Sequence, residues 1–354
     1  MWKHYYSATQ INAANYCTMK YYLRYILHKE PLRLSAYVKG SLLHNLKEHF
    51  WDRLGAEEEV MSKSKKFKDK RYFDAESFVT YAKGKWGNII VADEKSGKKI
   101  HWAYESEKWS ILSKMNNICY PLFGFLLERD KPLFVELPFD FVVGGRRIKG
   151  RIDEINPKND KIVVIDAKSG SPWVGEMKLK HDPQLTIYAA GICAKLRDDV
   201  NFARKFNLEG RVEEFMEGQK FISPNIEVGF FMLEALGVDP EKVKSVPSPI
   251  VFSKREDNHL LEVLKMIDGV KQKCIDGNVY PERGRKCDYC DVKHHCDKEL
   301  KKVNQGWMAD KTGQLNFDFA LPDYIRREDY TKKVKQPKRD PNQKRMRFSY
   351  KKKE

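Results

Sequence analysis

Gly150-Arg151-Ile152-Asp153 and Ile165-Asp166-Ala167-Lys168 are two short stretches that predict neighbouring β-strands. The segments around them are rich in Val, Ile and Phe, and turn-forming residues separate them. Runs of this kind, bounded by Gly, Asn, Pro and Asp, are typical of strands joined by short connections. We therefore expect a three-stranded meander, with strands at residues 136–143, 147–155 and 161–166 and turns at Gly144-Gly145 and residues 156–160.

Two of these strands carry residues suited to metal-assisted chemistry. Asp166 and Lys168 are two positions apart, so their side chains point to the same face of a strand. Asp153, at the end of the neighbouring strand, can reach that face. Carboxylates and a backbone carbonyl such as that of Ala167 suit Mg²⁺ or Mn²⁺. A lysine beside them can orient an attacking water and offset the charge of a phosphate. The pattern indicates phosphodiester chemistry.

Two predicted helices add polar side chains to this set. Asp182 is a helix cap and Pro183 suits the first helical position, which places Gln184 and Tyr188 one turn apart on the same face. Upstream, the stretch from Gly40 to His44 opens an amphipathic helix that carries the histidine on its apolar side. A single histidine in that setting is more often a core or surface residue, so it identifies no site by itself.

Taken together, these motifs resemble the RecB-like branch of the PD-(D/E)XK nucleases. The resemblance implies an α/β fold with a restriction-endonuclease-like mixed sheet flanked by helices, a metal site and hydrolysis of DNA. It implies metal ligands at His44, Asp153, Asp166 and Ala167, and catalytic residues at Asp153, Asp166, Lys168, Gln184 and Tyr188. Asp166 stands where many members of the superfamily carry Glu. Glu136, before the first core strand, is a further candidate for supporting the site.

Three cysteines near the end of the chain predict a second metal site. They occur as Cys287-Asp-Tyr-Cys290-x5-Cys296, and thiolates so close together suit a metal better than a core. A tetrahedral site needs a fourth ligand. His294 or His295 within the loop would favour zinc, and a distant cysteine is the other candidate.

The cysteine pattern is also similar to the iron-sulfur subgroup of this family, which includes the CRISPR-associated exonucleases and the AddB nuclease domain. That resemblance implies a 4Fe-4S cluster held by Cys17, Cys287, Cys290 and Cys296. Such a cluster would tie the two ends of the nuclease region together and add its binding energy to folding. We expect its role to be structural first.

Length and charge predict the domain organisation of this 354-residue chain. We expect a nuclease domain over residues 1–300 with a helical insertion at 51–128, a linker or packing segment at 301–330, and a disordered basic tail at 331–354. The tail holds eleven Lys or Arg against two acidic residues, so it carries +9 of the net charge of +16. It can tether DNA phosphates. Residues 314–319 faintly resemble peptides that dock on sliding clamps.

Further elements complete the predicted architecture. The sheet gains strands at residues 227–233 and 250–252, and a helix over residues 255–275 leads to the cysteine loop. An N-terminal helix begins at Ser7 or Thr9. No secretory signal is visible, and no apolar run approaches the roughly 20 residues of a membrane span, so we expect a cytoplasmic protein.

These observations predict a metal-dependent DNA exonuclease that acts on single-stranded DNA or DNA ends in replication, recombination or repair. A structure-specific endonuclease is the alternative within enzymes. A DNA-binding subunit with a vestigial nuclease site is less consistent with the intact set of Asp153, Asp166 and Lys168. A zinc-ribbon adaptor that binds nucleic acid is a third possibility, and its colourless metal would distinguish it from a brown cluster.

Overall fold

A mixed six-stranded sheet carries most of the residues that the sequence singled out. The structure is a computed structural model that describes residues 5–63, 73–95, 97, 99–104, 106–171, 173, 176–276, 278–282 and 284–308. Its strands are β1 (Tyr6–Ser7), β2 (Arg33–Leu34), β3 (Ile100–His101), β4 (Phe134–Val143), β5 (Arg146–Lys158), β6 (Lys161–Lys168), β7 (Ile226–Met232) and β8 (Ile250–Lys254). β2 and β3 form a separate two-stranded sheet.

Helices cover both faces of the six-stranded sheet. In chain order they are α1 (Ala8–Tyr16), α2 (Thr18–Tyr21), which continues as a π-helix over Tyr22–Ile26, α3 (Ser35–Lys63), α4 (Ala75–Lys95), α5 (Glu107–Leu127), α6 (Glu176–His181), α7 (Pro183–Asp198), α8 (Val200–Arg204), α9 (Val212–Phe215), α10 (Asp257–Ile275) and α11 (Lys293–Met308). A mixed sheet between helices confirms the predicted fold class.

The predicted meander is present as β4, β5 and β6, which pair antiparallel in that order. Gly144 and Gly145 form the first turn with φ angles of 54° and 71°, a conformation that glycine adopts without cost. The second turn is shorter than predicted, because β5 continues through Pro157 to Lys158. Only Asn159 and Asp160 remain outside the strands, and Asn159 has a φ of 54°. Asparagine tolerates this conformation, which explains the tight turn.

The rest of the sheet grows from the long strand β5 and from β6. β1 pairs parallel with β5 near Ile148, β7 pairs parallel with β6, and β8 pairs antiparallel with β7. Along β6 the residues alternate between the two cores. Ile162 and Val164 pack with α1, α7 and α10, whereas Val163, Ile165 and Ala167 pack with α3, α4 and α5. Asp166 has the parity of Ile162 and Val164, so it points toward α7.

The predicted helix starts are confirmed in two cases and wrong in two. Ser7 caps α1 and forms a capping box with Gln10, and Asp182 caps α7 by accepting from two backbone N–H groups. The helix with His44 begins at Ser35 rather than at Gly40. Gly40 lies within it, and a Cβ there would lie 2.6 Å from the Ser169 hydroxyl oxygen, so glycine leaves room for that side chain. The helix that leads to the cysteine loop, α10, begins at Asp257, two residues later than predicted.

The predicted insertion at residues 51–128 is largely helical. It contains the end of α3 together with α4 and α5, and its core includes Trp51, Phe78 and Trp86. None of the helices in the described ranges combines the length and hydrophobicity that a membrane span needs.

The chain divides into one unit at Met1–Lys301 and another at Lys302–Glu354. The clamp-like stretch at 314–319 and the basic tail at 331–354 lie outside the described residues, so the roles proposed for them stay predictions.

The close pairing of β7 with β8 predicts a strong effect of a single methyl group. A Cβ on Gly229 would lie 2.5 Å from the Val251 carbonyl oxygen, and this backbone atom cannot rotate away. We expect Gly229→Ala to lower the free energy of unfolding by about 1–3 kcal/mol in urea titrations. Gly87 in α4 has no atom within 4 Å of the added carbon, so Gly87→Ala is the matched control and should leave stability unchanged or raise it by about 0.5–1 kcal/mol. Equal effects of the two substitutions would contradict this account.

Candidate active site

The two aspartates singled out by the sequence lie opposite each other across the β5–β6 pair. Glu154 pairs with Ile165 at the end of this ladder, which brings Asp153 beside Asp166. The Asp153 Oδ2 accepts a hydrogen bond from the Ala167 N–H at 2.9 Å, which connects the two strands beyond their last paired residues. Asp153 and Asp166 are 8% and 2% exposed. Asp153 lies within β5 rather than at its end, because that strand is longer than predicted.

Gln184, in the first turn of α7, connects the other predicted residues. Its Nε2 donates to Asp166 Oδ1 at 2.8 Å and to the Tyr188 hydroxyl at 2.6 Å, while its Oε1 accepts from Lys168 Nζ at 2.9 Å. Lys168 Nζ also lies 2.5 Å from Asp166 Oδ2. Four of the predicted catalytic residues therefore form one hydrogen-bonded group. The capped start of α7 fixes its position.

His44 approaches the same site from α3. Its Nδ1 lies 3.3 Å from Asp153 Oδ2, and the Lys47 Nζ on the same helix lies 4.0 Å from that oxygen. Lys47 also lies 3.2 Å from Glu154 Oε1, and Arg129 lies 2.9 Å from Glu154 Oε2. Lys47 and Glu154 are almost fully buried. A charged network therefore lies directly behind Asp153.

The pKa values of the two aspartates are shifted in opposite directions. Burial raises the pKa of Asp166 to about 6, although the Lys168 ammonium beside it acts in the other direction. Burial also opposes ionisation of Asp153, but hydrogen bonding by His44 and the charge of Lys47 hold its pKa below the usual range. Burial would lower the pKa of Lys168, yet the charge of Asp166 raises it overall. The site therefore favours a charged lysine between carboxylates.

The donor chemistry of this site fits a hard divalent cation. Asp153, Asp166 and the Ala167 carbonyl offer oxygen, which Mg²⁺ and Mn²⁺ prefer, and His44 offers nitrogen. Asp166 Oδ2 is buried and accepts no aligned hydrogen bond, although Lys168 lies beside it. Within the described ranges, no group of three or more His, Cys, Asp or Glu already has the arrangement of a metal site. In this arrangement, lysines supply the positive charge near the carboxylates.

Glu136 lies within β4 rather than before it, and it has a φ of 54°, which is unusual for a non-glycine residue. Burial, together with the charge of Asp153, raises the pKa of Glu136 to about 7. Arg151 NH1 lies 3.6 Å from its Oε2. Glu136 is therefore close enough to Asp153 to affect its charge.

The structure adds residues that the sequence reasoning missed. Asn12 in α1 donates to the Gln184 Oε1 at 2.8 Å, and Lys47 and Glu154 form the buried ion pair behind Asp153. Lys47 is three positions after His44, and that spacing could have indicated a shared face. No local signal identifies Asn12, because its partner is 172 positions away.

The four cysteines that the sequence grouped line one cavity. Cys17, Cys287, Cys290 and Cys296 contribute to its wall together with Lys20, Lys286 and Lys293. Neither His294 nor His295 is among its lining residues, and His295 Nε2 instead lies 3.0 Å from the Glu30 carbonyl oxygen. The Cys17 Sγ accepts from the Glu282 N–H at 3.4 Å. The structure thus brings the distant Cys17 to the cysteine loop.

Other contacts clamp the N-terminal helices to this loop. Tyr16 donates its hydroxyl to the Lys286 carbonyl oxygen, and Lys286 Nζ donates to the Tyr16 carbonyl oxygen at 2.5 Å. Asp291 is fully buried and pairs with Lys20 at 2.9 Å and Arg24 at 2.8 Å. These contacts hold Cys17 near Cys290 through protein groups alone.

A family model, a search of curated proteins and a search of solved structures compare this chain with known proteins. A family model described as the PD-(D/E)XK nuclease superfamily matches residues 5–297, a range that includes both sites. A search of curated proteins found no match. Among solved structures, one described as "Crystal structure of SSO0001" shares 15% identity, with 62% of this chain and 79% of that chain covered and a TM-score of 0.25.

The buried pair of Lys47 and Glu154 predicts a large loss of stability when one partner is removed. Lys47→Met would leave Glu154 with Arg129 as its remaining described cation, and we expect the free energy of unfolding to fall by about 3–5 kcal/mol. Lys242 forms an exposed pair with Asp239 at 2.8 Å, so Lys242→Met is the control and should cause no measurable change. A similar stability for both variants would show that the buried pair is not needed for folding.

Proposed function

Because this chain belongs to the PD-(D/E)XK nuclease superfamily, we propose that it is a metal-dependent DNA exonuclease of the RecB-like branch and its iron-sulfur subgroup. We propose single-stranded DNA or DNA ends as its substrate. The observation that carries the nuclease assignment is the single bonded group of Asp166, Lys168, Gln184 and Tyr188 beside Asp153.

The metal site would consist of the Asp153 and Asp166 carboxylates, the Ala167 carbonyl and the His44 imidazole. A divalent ion bound there supplies Lewis-acid activation of a phosphate and lowers the pKa of a bound water. Because burial raises the pKa of Asp166, cation binding would offset the cost of keeping this carboxylate charged.

In the proposed reaction, Lys168 orients the attacking water and offsets charge on the scissile phosphate. Its ammonium is held by Asp166 and Gln184, which leaves it few alternative positions. Tyr188 is only 3% exposed, so it acts by fixing Gln184 rather than by touching DNA. Gln184 and Tyr188 are therefore positioning residues in this proposal.

Removal of the central groups should abolish catalysis without unfolding the protein. We expect Lys168→Ala and Asp166→Ala to reduce hydrolysis of end-labelled DNA by at least about a hundredfold with Mg²⁺ or Mn²⁺ present, since the first removes a cation used at the phosphate and the second removes a proposed metal ligand. EDTA should abolish cleavage by the wild-type protein. Lys161 lies on the same strand but pairs with Glu227 away from the aspartates, so Lys161→Ala is the matched control and should cleave normally.

The same assay distinguishes the modes of cleavage. An exonuclease releases label from linear DNA and leaves closed circular single strands intact, whereas an endonuclease cuts both. Wild-type cleavage by Lys168→Ala and Asp166→Ala would contradict the site assignment. If the wild-type protein cleaves no DNA with either metal but still binds it, the chain is a DNA-binding subunit.

We also propose that the cysteine cavity holds a 4Fe-4S cluster. Its four thiols come from one N-terminal and three C-terminal positions, and sulfur donors of this number suit iron-sulfur clusters as well as zinc. Three lysines and two acidic residues line the same cavity, and each lysine already pairs with a carboxylate: Lys20 with Asp291, Lys286 with Glu282 and Lys293 with Asp288.

Elemental analysis and visible absorbance test the cluster. We expect Cys17→Ala, Cys287→Ala, Cys290→Ala and Cys296→Ala each to lose iron, brown colour and thermal stability together, because metal binding contributes to folding. Cys193 is buried in the sheet core, so Cys193→Ala is the control and should retain full iron content. If Cys17→Ala retains its full iron content, the fourth ligand is another residue. If the wild-type protein is colourless and contains stoichiometric zinc, the site binds zinc and not a cluster.

A further inference from the structure

A groove of about 570 Å³ runs between α3 and α4, beside the helix that carries His44. Each helix contributes side chains at one-turn spacing, with Tyr37, Ser41 and Asn45 on α3 and Tyr81 and Lys85 on α4. Residues spaced by four positions share a helix face, so the two rows form facing walls. The α3 row is about 12 Å long at 1.5 Å per residue.

Two aromatic rings line this groove, Tyr37 and Tyr81, and each has a lysine ammonium near its ring. Tyr37 is 47% exposed, and Lys20 Nζ lies 5.9 Å from its ring centre. Tyr81 stacks on His49 with ring centres 3.7 Å apart, and Lys85 Nζ lies 5.1 Å from the Tyr81 ring centre. The rings are thus held in place with cations beside them.

The groove has the charge of a nucleic-acid surface. Of the described residues that line it, Arg33 and Lys85 are cationic and none is acidic. Ser41 and Asn45 are exposed and can bond to phosphates or sugars. Stacking on rings needs bases that are not enclosed in a duplex, so this combination suits single strands.

The position of the groove links it to the candidate active site. Tyr37 and His44 are seven positions apart on α3 and therefore lie on the same side, about 10 Å apart along its axis. His44 contacts Asp153, so a strand that follows α3 from Tyr37 leads to the aspartates.

We propose that this groove binds single-stranded DNA, with Tyr37 stacking on a base and Lys85 and Arg33 pairing with phosphates, and that it guides the strand toward Asp153 and Asp166. This inference rests on the proposed function for its choice of DNA. It adds a binding site and a strand path outside the catalytic group.

Anisotropy of a fluorescein-labelled oligothymidine, measured with EDTA present so that no strand is cut, tests the groove. We expect Tyr37→Ala to weaken binding by about tenfold through lost stacking, while Tyr37→Phe binds normally. Lys85→Ala should weaken binding and lower the slope of log affinity against log salt by about 0.7. Tyr37→Ala and Lys85→Ala should each weaken the binding of blunt duplex DNA less than they weaken the binding of the single strand.

A second groove provides the matched controls. Trp109 and Lys83 line a pocket between α4 and α5, and Trp109 is 55% exposed. Trp109→Ala and Lys83→Ala remove the same chemistry, and we expect them to bind like the wild type. Thermal melting checks that all variants are folded. The groove assignment is wrong if Tyr37→Ala binds normally, if the controls lose as much affinity, or if duplex and single strand lose affinity equally.

Cleavage measurements separate the two proposals. If the wild-type protein cuts DNA and Tyr37→Ala binds unchanged, the groove inference fails and the nuclease stands. If Tyr37→Ala loses strand binding but the wild-type protein cuts nothing, the nuclease assignment fails and the groove stands.

Discussion

The juxtaposition of two buried carboxylates, Asp153 and Asp166, is the constraint on which the rest of the structure depends. Two like charges inside a protein repel each other and lose hydration, so they persist only when cations and hydrogen bonds surround them. Here the compensating groups are Lys168, which lies on β6 with Asp166, His44 and Lys47 on α3, and Gln184 on α7. Each of these elements must therefore be placed accurately relative to β5 and β6. The sheet and its two helical layers provide that placement.

Features encoded within a few residues were predictable from the sequence. Alternation and turn residues identified β4, β5 and β6, the caps at Ser7 and Asp182 located two helix starts, and one-turn spacing put Gln184 and Tyr188 together. Features that depend on distant partners were not predictable. β5 continues through Pro157 because β6 pairs with it there, and the close approach of Ser169 to Gly40 comes from a segment 129 positions away. Asn12 and Glu154 have roles that only their contacts reveal.

The helical insertion contributes to the fold and to the proposed site at the same time. Its helices α4 and α5 close one core over Val163, Ile165 and Ala167, the residues that alternate with Asp166 along β6. The same helices leave exposed rows that face α3 and each other. A segment that appears in sequence as an interruption between His44 and the sheet is thus part of the support for the aspartates.

The clamp between the N-terminal helices and residues 286–291 has a consequence for the order of synthesis. Tyr16, Lys20 and Arg24 leave the ribosome long before Lys286 and Asp291, so the contacts of this clamp form only after residues 286–291 have been made. α1 also delivers Asn12 to Gln184, which holds Lys168. A chain that stops before Lys286 would lack the clamp, although Asn12 could still bond to Gln184.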